Sequence, residues 1–301
     1  MCNKEKPFSG SACAIVTPFK NGEIDYGAFA HLIDFQIEEG TDAIVVLGTT
    51  GEAPTISEGE REEIVEFAKN KIKGRVPLIV GTGTNSTETT IRYSKNAHSL
   101  GANAILCVTP YYNKPTENGL ISHYEKIASE VDLPIILYNV PSRTGVGISL
   151  NVLNALREIP NIVGIKEASG SISFLEEAIL RFGENYYFYT GNDDLTLASL
   201  ALGAEGVISV AANLVPRKMH DLCADFWRGE IKKSRELQLY LTPLIKELFL
   251  ETNPIPVKTA LSLAGFIKDE FRLPMCKSKR KEEIKNILVQ MEINKNIDKN
   301  I

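Results

Sequence analysis

Short apolar runs alternate with longer stretches of helical period through the first two thirds of the chain. Eight runs read as buried strands, "ACAIV", "DAIVVLG", "PLIVG", "NAILCV", "PIILYN", "NIVGIK", "YYFYTG" and "GVISV", and all lie before residue 211. Three junctions repeat one design: in "EEGTDAIVV", "SLGANAILC" and "ALGAEGVIS" a glycine closes a helix pattern and a strand begins a few residues later. Those glycines, Gly40, Gly101 and Gly203, suit the left-handed conformation just past a helix. Helix starts are legible too. Ser57 and Glu60 fit a capping box, and Ser149 and Ser171 fit as caps after the fifth and sixth strands.

Repeated right-handed βα units close most readily into an α/β (β/α)8 TIM barrel. An open doubly wound sheet is the alternative. It usually carries a glycine-rich phosphate loop after its first strand, where this chain has "AIVTPFKNGEID"; "GTGTNS" at 81–86 is only a partial match. Beyond residue 216 the pattern is helical. The expected organisation is therefore a barrel over residues 1–228 and a helical extension over 229–301 packed on it, with no linker between them. Pro256 is placed to open a helix, and Ile284, Ile287, Leu288 and Met291 fall on one helical face. "KSKRK" reads as a solvated helix start, and the final "NKNIDKNI" as a frayed end.

Composition narrows the function classes. The chain has 301 residues, 44% hydrophobic and 24% charged, with net charge −5. That balance gives no sign of a nucleic-acid face. No apolar run spans a membrane, and the N-terminus lacks the apolar core of a signal peptide. Five dispersed cysteines without a CxxC pair suggest neither disulfides nor zinc, so a reducing cytoplasm is expected. The four histidines, His31, His98, His123 and His220, are equally dispersed, each within a helical segment.

Candidate chemistry sits where the strands end, which in such a barrel is the active-site face. The second run closes in "LGTTGE", the fourth in "VTPYYN", the fifth in "LYNVPSRTG", the sixth in "GIKEASG" and the seventh in "YTGNDD". A strand that ends on Lys166 admits two readings. The lysine either marks the strand end and reaches water, or it is a desolvated amine serving as nucleophile. Period-two alternation puts Ile162, Gly164 and Lys166 on one face and Val163, Ile165 and Glu167 on the other. The β-branched pair suits the outer helices, which sends Lys166 inward with Gly164 making room for its stem. Tyr138 shares a face with Ile136. A lysine and a tyrosine in one apolar mouth suit Schiff-base chemistry, with the hydroxyl moving protons. That convergence favours the nucleophile. Singly, Thr49 and Thr50 also fit a turn, Tyr111, Tyr112 and Tyr138 fit packing, and Arg143 fits a surface ion pair.

On these residues the chain resembles the dihydrodipicolinate synthase family, within the pyruvate-dependent class I aldolases and lyases that include N-acetylneuraminate lyase. The similarity runs from about Phe8 into the C-terminal helices and rests on "GTTGE" (48–52), "TPYYNKP" (109–115), "YNVPSRTG" (138–145), "GIKEASG", "TGNDD" and "NPIPVKTA". The resemblance implies that Lys166 forms a Schiff base with pyruvate and that the resulting enamine adds to L-aspartate 4-semialdehyde, in lysine and diaminopimelate biosynthesis. It implies Tyr138 as proton donor and acceptor, relayed through Thr49 to Tyr112 of a neighbouring subunit. Thr49 and Thr50 would hold the pyruvate carboxylate, Arg143 the semialdehyde carboxylate, and Gly191 and Ile208 would line the pocket. No metal or organic cofactor is implied, since the lysine is the electron sink. A homotetramer built as a dimer of dimers is implied as well. A sugar-acid aldolase of the same family, such as N-acetylneuraminate lyase or a 2-keto-3-deoxy sugar-acid aldolase, is the enzymatic alternative. A barrel that only binds a keto acid should have lost Lys166 or Tyr138. Lysine-inhibited relatives use positions matching Tyr111 and Asn85. They often carry serine, histidine and a carboxylate where this chain has Ala53, Glu58 and Thr89, so weak or absent feedback by L-lysine is expected.

Overall fold

The computed structural model describes residue 2 and residues 4–293; the "NKNIDKNI" tail lies outside the described residues. Its centre is a closed barrel of parallel strands. They are β1 (Gly10–Ala14), β2 (Ala43–Val46), β3 (Leu78–Gly81), β4 (Ala104–Val108), β5 (Ile135–Asn139), β6 (Ile162–Glu167), β7 (Tyr187–Thr190) and β8 (Gly206–Ser209). Each pairs with its sequence neighbours, and β1 closes the ring against β8. One helix follows each strand: α1 (Tyr26–Glu38), α2 (Glu58–Ile72), α3 (Thr87–Ser99), α4 (Glu117–Glu130), α5 (Leu150–Leu156), α6 (Ile172–Phe182), α7 (Thr196–Leu202) and α8 (Pro216–Trp227). This is the (β/α)8 barrel that the alternation of runs predicts, and the open sheet is excluded.

Local signals are realised as read. Ser57 and Glu60 form the reciprocal capping box of α2, and the Ser149 and Ser171 side chains accept from the backbone of Val152 and Phe174. Gly40, Gly101 and Gly203 all have positive φ. The first strand starts earlier than expected, at Gly10 rather than Ala12, because Gly10 and Ser11 hide its beginning from an apolar count. A small hairpin, Phe19–Lys20 against Glu23–Ile24, also escaped the pattern; its turn is the Asn21-Gly22 pair, both at positive φ.

Two apolar layers result. The outer one lies between strands and helices and runs on into the C-terminal helices α9 (Ile231–Leu248), α10 (Ile255–Leu263) and α11 (Lys281–Gln290). Leu241, Leu244 and Ile284 are fully buried in it. The inner layer fills the barrel and mixes small with large residues: Ala12, Ala43 and Ala104 leave room for Tyr187 and Tyr189. The segment before β1 closes the N-terminal end. The Tyr189 hydroxyl donates to the Phe8 carbonyl at 2.8 Å, and Tyr187 donates to the carbonyls of Cys2 and Lys4. The Lys4 ammonium in turn donates to the carbonyls of Arg157, Ile159 and Ile162. With that end plugged, open space is left at the C-terminal ends of the strands.

Strict alternation along β6 fails at its start. A register irregularity opposite Ile135 and Ile136 pairs Ile135 with Ile162 but Ile136 with Gly164. Ile162 therefore packs in the outer layer with Ile165, not on the inner face with Lys166. One extra residue in a strand shifts every side chain before it to the other face. From Gly164 onward the expected alternation holds, and Lys166 points inward.

Candidate active site

Lys166 and Tyr138 stand opposite each other on adjacent strands, in direct register. The lysine Nζ lies 4.4 Å from the centroid of the tyrosine ring, and both side chains are buried. Desolvation is what a nucleophilic amine requires, and the aromatic face fixes where the amine sits.

The space around the lysine stem comes from a glycine other than the one expected. A Cβ on Gly191 would stand 2.8 Å from Lys166 Cε and 2.7 Å from Ala168 Cβ. A Cβ on Gly164 would instead meet the Tyr187 carbonyl at 2.8 Å and the Tyr189 ring at 3.3 Å. Gly164 thus serves β6–β7 packing, whereas Gly191, at the end of β7, makes way for the lysine.

A cavity of about 460 Å³ reaches this pair on the Tyr138 side; Lys166, Thr50, Gly191 and Ile208 are not among its lining residues. Thr49, Tyr138 and Arg143 line it, together with Tyr111, Asn85, Ala53 and Thr89. Its charged lining residues are Arg61 and Arg143, and among the described residues no carboxylate lines it. Such a chamber favours anionic ligands. Arg61 is nearly buried, reaches the carbonyl of Gly81 at 2.5 Å and lies over the Tyr93 ring at 4.3 Å. Burial lowers its guanidinium from the ordinary arginine value.

The remaining predicted residues divide by position. Arg143 sits on the short helical turn Pro141–Thr144 that follows β5, and its guanidinium donates to the Asn253 carbonyl at 3.3 Å. Thr109 fastens that turn to β4, donating to Thr144 Oγ1 at 3.0 Å. Thr50 lies behind the loop surface, buried, where its hydroxyl accepts from Asn253 Nδ2 at 2.9 Å. Ile208 belongs to the inner layer of the barrel. Tyr112 is not gathered into the site of its own chain. It is 90% exposed and held at φ 72°, a left-handed conformation unusual for a bulky residue. Asn113 anchors its loop by donating to the Asn85 carbonyl at 2.9 Å.

Several partners of the site escaped the sequence reading. Glu167, next to the lysine, accepts from Asn139 Nδ2 and from the Ser169 amide, both at 2.6 Å, and burial raises its carboxyl from the usual value. Asp193, beyond Gly191, accepts from the Val210 and Ala211 amides at 3.1 and 2.8 Å. Burial raises its carboxyl as well, with those amides and the charge of Lys166 acting against the rise. Glu52 of "GTTGE" forms a fully buried ion pair with Lys258 of "NPIPVKTA" at 2.5 Å. Both motifs stood out in the sequence, but nothing local indicated that they meet.

A (β/α)8 barrel holding a buried lysine beside a tyrosine that lines a chamber with two arginines belongs to the class of barrel enzymes that work through a lysine amine. Comparison with known proteins narrows the class. The sequence profile described as the Dihydrodipicolinate synthetase family matches residues 7–291. The 4-hydroxy-tetrahydrodipicolinate synthase of Hydrogenobaculum sp. (strain Y04AAS1) is 48% identical over 283 residues, covering 93% of this chain and 97% of that relative. The crystal structure of dihydrodipicolinate synthase from Aquifex aeolicus superposes with TM-score 0.93 at 44% identity, covering 96% of this chain and 100% of that one. A structure described as a monomeric dihydrodipicolinate synthase variant matches with TM-score 0.93 at 46% identity, covering 95% of this chain and 97% of that one. The chain belongs to the dihydrodipicolinate synthetase family.

Proposed function

We propose that this chain condenses pyruvate with L-aspartate 4-semialdehyde to give 4-hydroxy-tetrahydrodipicolinate, in lysine and diaminopimelate biosynthesis. Family membership supports the reaction. The observation that carries the residue roles is the buried Lys166 amine against the ring of Tyr138, which itself lines a chamber whose charged lining groups are guanidinium.

Lys166 Nζ attacks the keto carbon of pyruvate, and loss of water gives the imine. Tyr138 supplies and removes the protons of the carbinolamine steps, the task a phenol beside the amine can perform. The iminium withdraws electrons from the methyl group, which loses a proton to form the enamine. The enamine carbon then adds to the aldehyde of the second substrate, and cyclisation frees the lysine. The lysine is the electron sink, so no metal or organic cofactor takes part. Thr49 and Thr50 bind the pyruvate carboxylate, Arg143 binds that of the semialdehyde, and Gly191 and Ile208 shape the floor. Arg143 is suited to this task by its paired donors and its position on the chamber wall.

Tyr112 acts across a subunit interface in this reading. Its exposure and left-handed backbone suit a side chain presented to a second copy, where it completes a relay through Thr49 to that copy's Tyr138. The working unit is then at least a homodimer, and a tetramer follows from pairing two dimers. The barrel over 1–228 carries the chemistry, and the extension over 229–301 braces it. Five free cysteines suit a reducing cytoplasm.

Incubation with pyruvate, borohydride reduction and peptide mapping test the centre of the proposal. A pyruvyl adduct on Lys166 is expected, and an adduct on another lysine, or none, refutes the assignment. Product formation from pyruvate plus aspartate semialdehyde, measured beside cleavage of sialic acid, decides between the synthase and a sugar-acid aldolase.

A further inference from the structure

We infer that Asn253 is a positioning residue for the first substrate, orienting the Thr50 hydroxyl toward the pyruvate carboxylate. The inference rests on the reading above that Thr50 holds this carboxylate.

Asn253 comes from the segment between α9 and α10, far from the barrel strands in sequence, and is 6% exposed. Its Nδ2 lies 2.9 Å from Thr50 Oγ1. An amide nitrogen only donates. The Thr50 oxygen is therefore the acceptor in this bond, and the Thr50 proton is left to be given elsewhere. Thr50 is buried, so an unused O–H there is costly unless an acceptor arrives. A carboxylate oxygen is such an acceptor, and the bond to it is charge-assisted.

Asn253 Oδ1 is buried and has no hydrogen-bond partner among the described residues. With the amide rotated by half a turn, Oδ1 would accept the Thr50 proton, but the Nδ2 donors would then take the buried position where no acceptor stands. The observed orientation keeps an unmet acceptor on Asn253 and a free donor on Thr50. Unmet buried groups of this kind are uncommon and need a reason.

Two further contacts hold Asn253 in place. Its backbone carbonyl accepts from Arg143, and five residues on, the Lys258 ammonium pairs with Glu52, two residues beyond Thr50. The "GTTGE" loop and the 253–258 segment are thus joined at two points. The side chain of Asn253 acts on Thr50 alone, since the Arg143 bond uses its carbonyl.

The experiment is a double-mutant cycle read by borohydride trapping of the Lys166–pyruvate adduct against pyruvate concentration. Asn253→Ala should raise half-saturating pyruvate about tenfold. The KM for the semialdehyde should stay within about twofold, because the carbonyl that holds Arg143 survives the substitution. Thr50→Val should raise half-saturation by at least as much, and adding Asn253→Ala to it should change nothing further. If Asn253→Ala does not fold, Asn253→Asp is read the same way: it has nearly the same shape, places an acceptor on the Thr50 proton and should weaken pyruvate binding at least as strongly. Additive effects of the two substitutions overturn the inference. So does a Thr50→Val effect with no Asn253 effect, which leaves the role of Thr50 standing. An unaltered Thr50→Val enzyme removes the role of Thr50 and the inference together.

Discussion

Lys258→Met isolates the energetic link between the C-terminal helices and the catalytic loop. Lys258 and Glu52 have side-chain exposures of 0% and 1%, so neither charge can turn to water. Burial pulls the Lys258 ammonium below the ordinary lysine value, and the Glu52 carboxylate opposes that shift. The ammonium also lies 4.2 Å from the Phe19 ring centroid and 4.9 Å from that of Phe271. Methionine keeps the length and the aromatic contacts but removes the charge. Among the described residues Glu52 would then retain one backbone donor, the Arg272 amide at 3.3 Å. Stranding one member of a buried pair costs about 3–5 kcal/mol, whereas exposed pairs are worth about 0–1 kcal/mol. For a chain of this size that corresponds to a fall in melting temperature on the order of 5–12 °C. Removing both charges, as in Glu52→Gln with Lys258→Met, should bring stability back to within about 1–2 kcal/mol of the parent, since an apolar or neutral replacement avoids the stranded ion. Thermal and urea unfolding at fixed protomer concentration measure all corners of the cycle, which keeps any assembly term constant. A cost below about 1 kcal/mol for Lys258→Met, or a double variant no better than the single one, would refute the reasoning. Either outcome would mean that water or another charge already compensates Glu52.

Three further expectations follow from the site. Gly191→Ala should cut the rate of adduct formation on the order of a hundredfold while circular dichroism stays native, because the added methyl occupies the space of Lys166 Cε; a change of only two- or threefold would show that the lysine has room to step aside. Mixing inactive Lys166 and Tyr112 variants should restore part of the activity through hybrid dimers, and absence of rescue despite demonstrated subunit exchange would return Tyr112 to its own chain. L-lysine at up to millimolar concentration should leave the synthase rate unchanged: Ala53 and Thr89 line the chamber without a carboxylate, Arg61 adds a like charge there, and Glu58 is engaged by Arg92 and Tyr93. Inhibition at sub-millimolar lysine would contradict this.

The sequence by itself determined the eight barrel strands, the barrel helices, their caps and the inward pairing of Lys166 with Tyr138. These are local matters. Apolar period, capping side chains and glycine conformations act over a few residues, and a parallel barrel brings successive strand ends to one rim whatever the loops contain. Where a local rule failed around Lys166, the cause was not local. The irregularity in β6 answers to its pairing with β5, and it moved Ile162 to the outer layer. That Gly191 rather than Gly164 makes room for Lys166 depends on which neighbouring strand approaches closest, which only closure of the barrel decides. The contacts of Thr50 with Asn253 and of Glu52 with Lys258 span 203 and 206 residues. No periodicity extends that far. Their residues carried motif signals, but the choice of partner arose only when the C-terminal helices packed over the rim and brought Lys258 to Glu52 and Asn253 to Thr50.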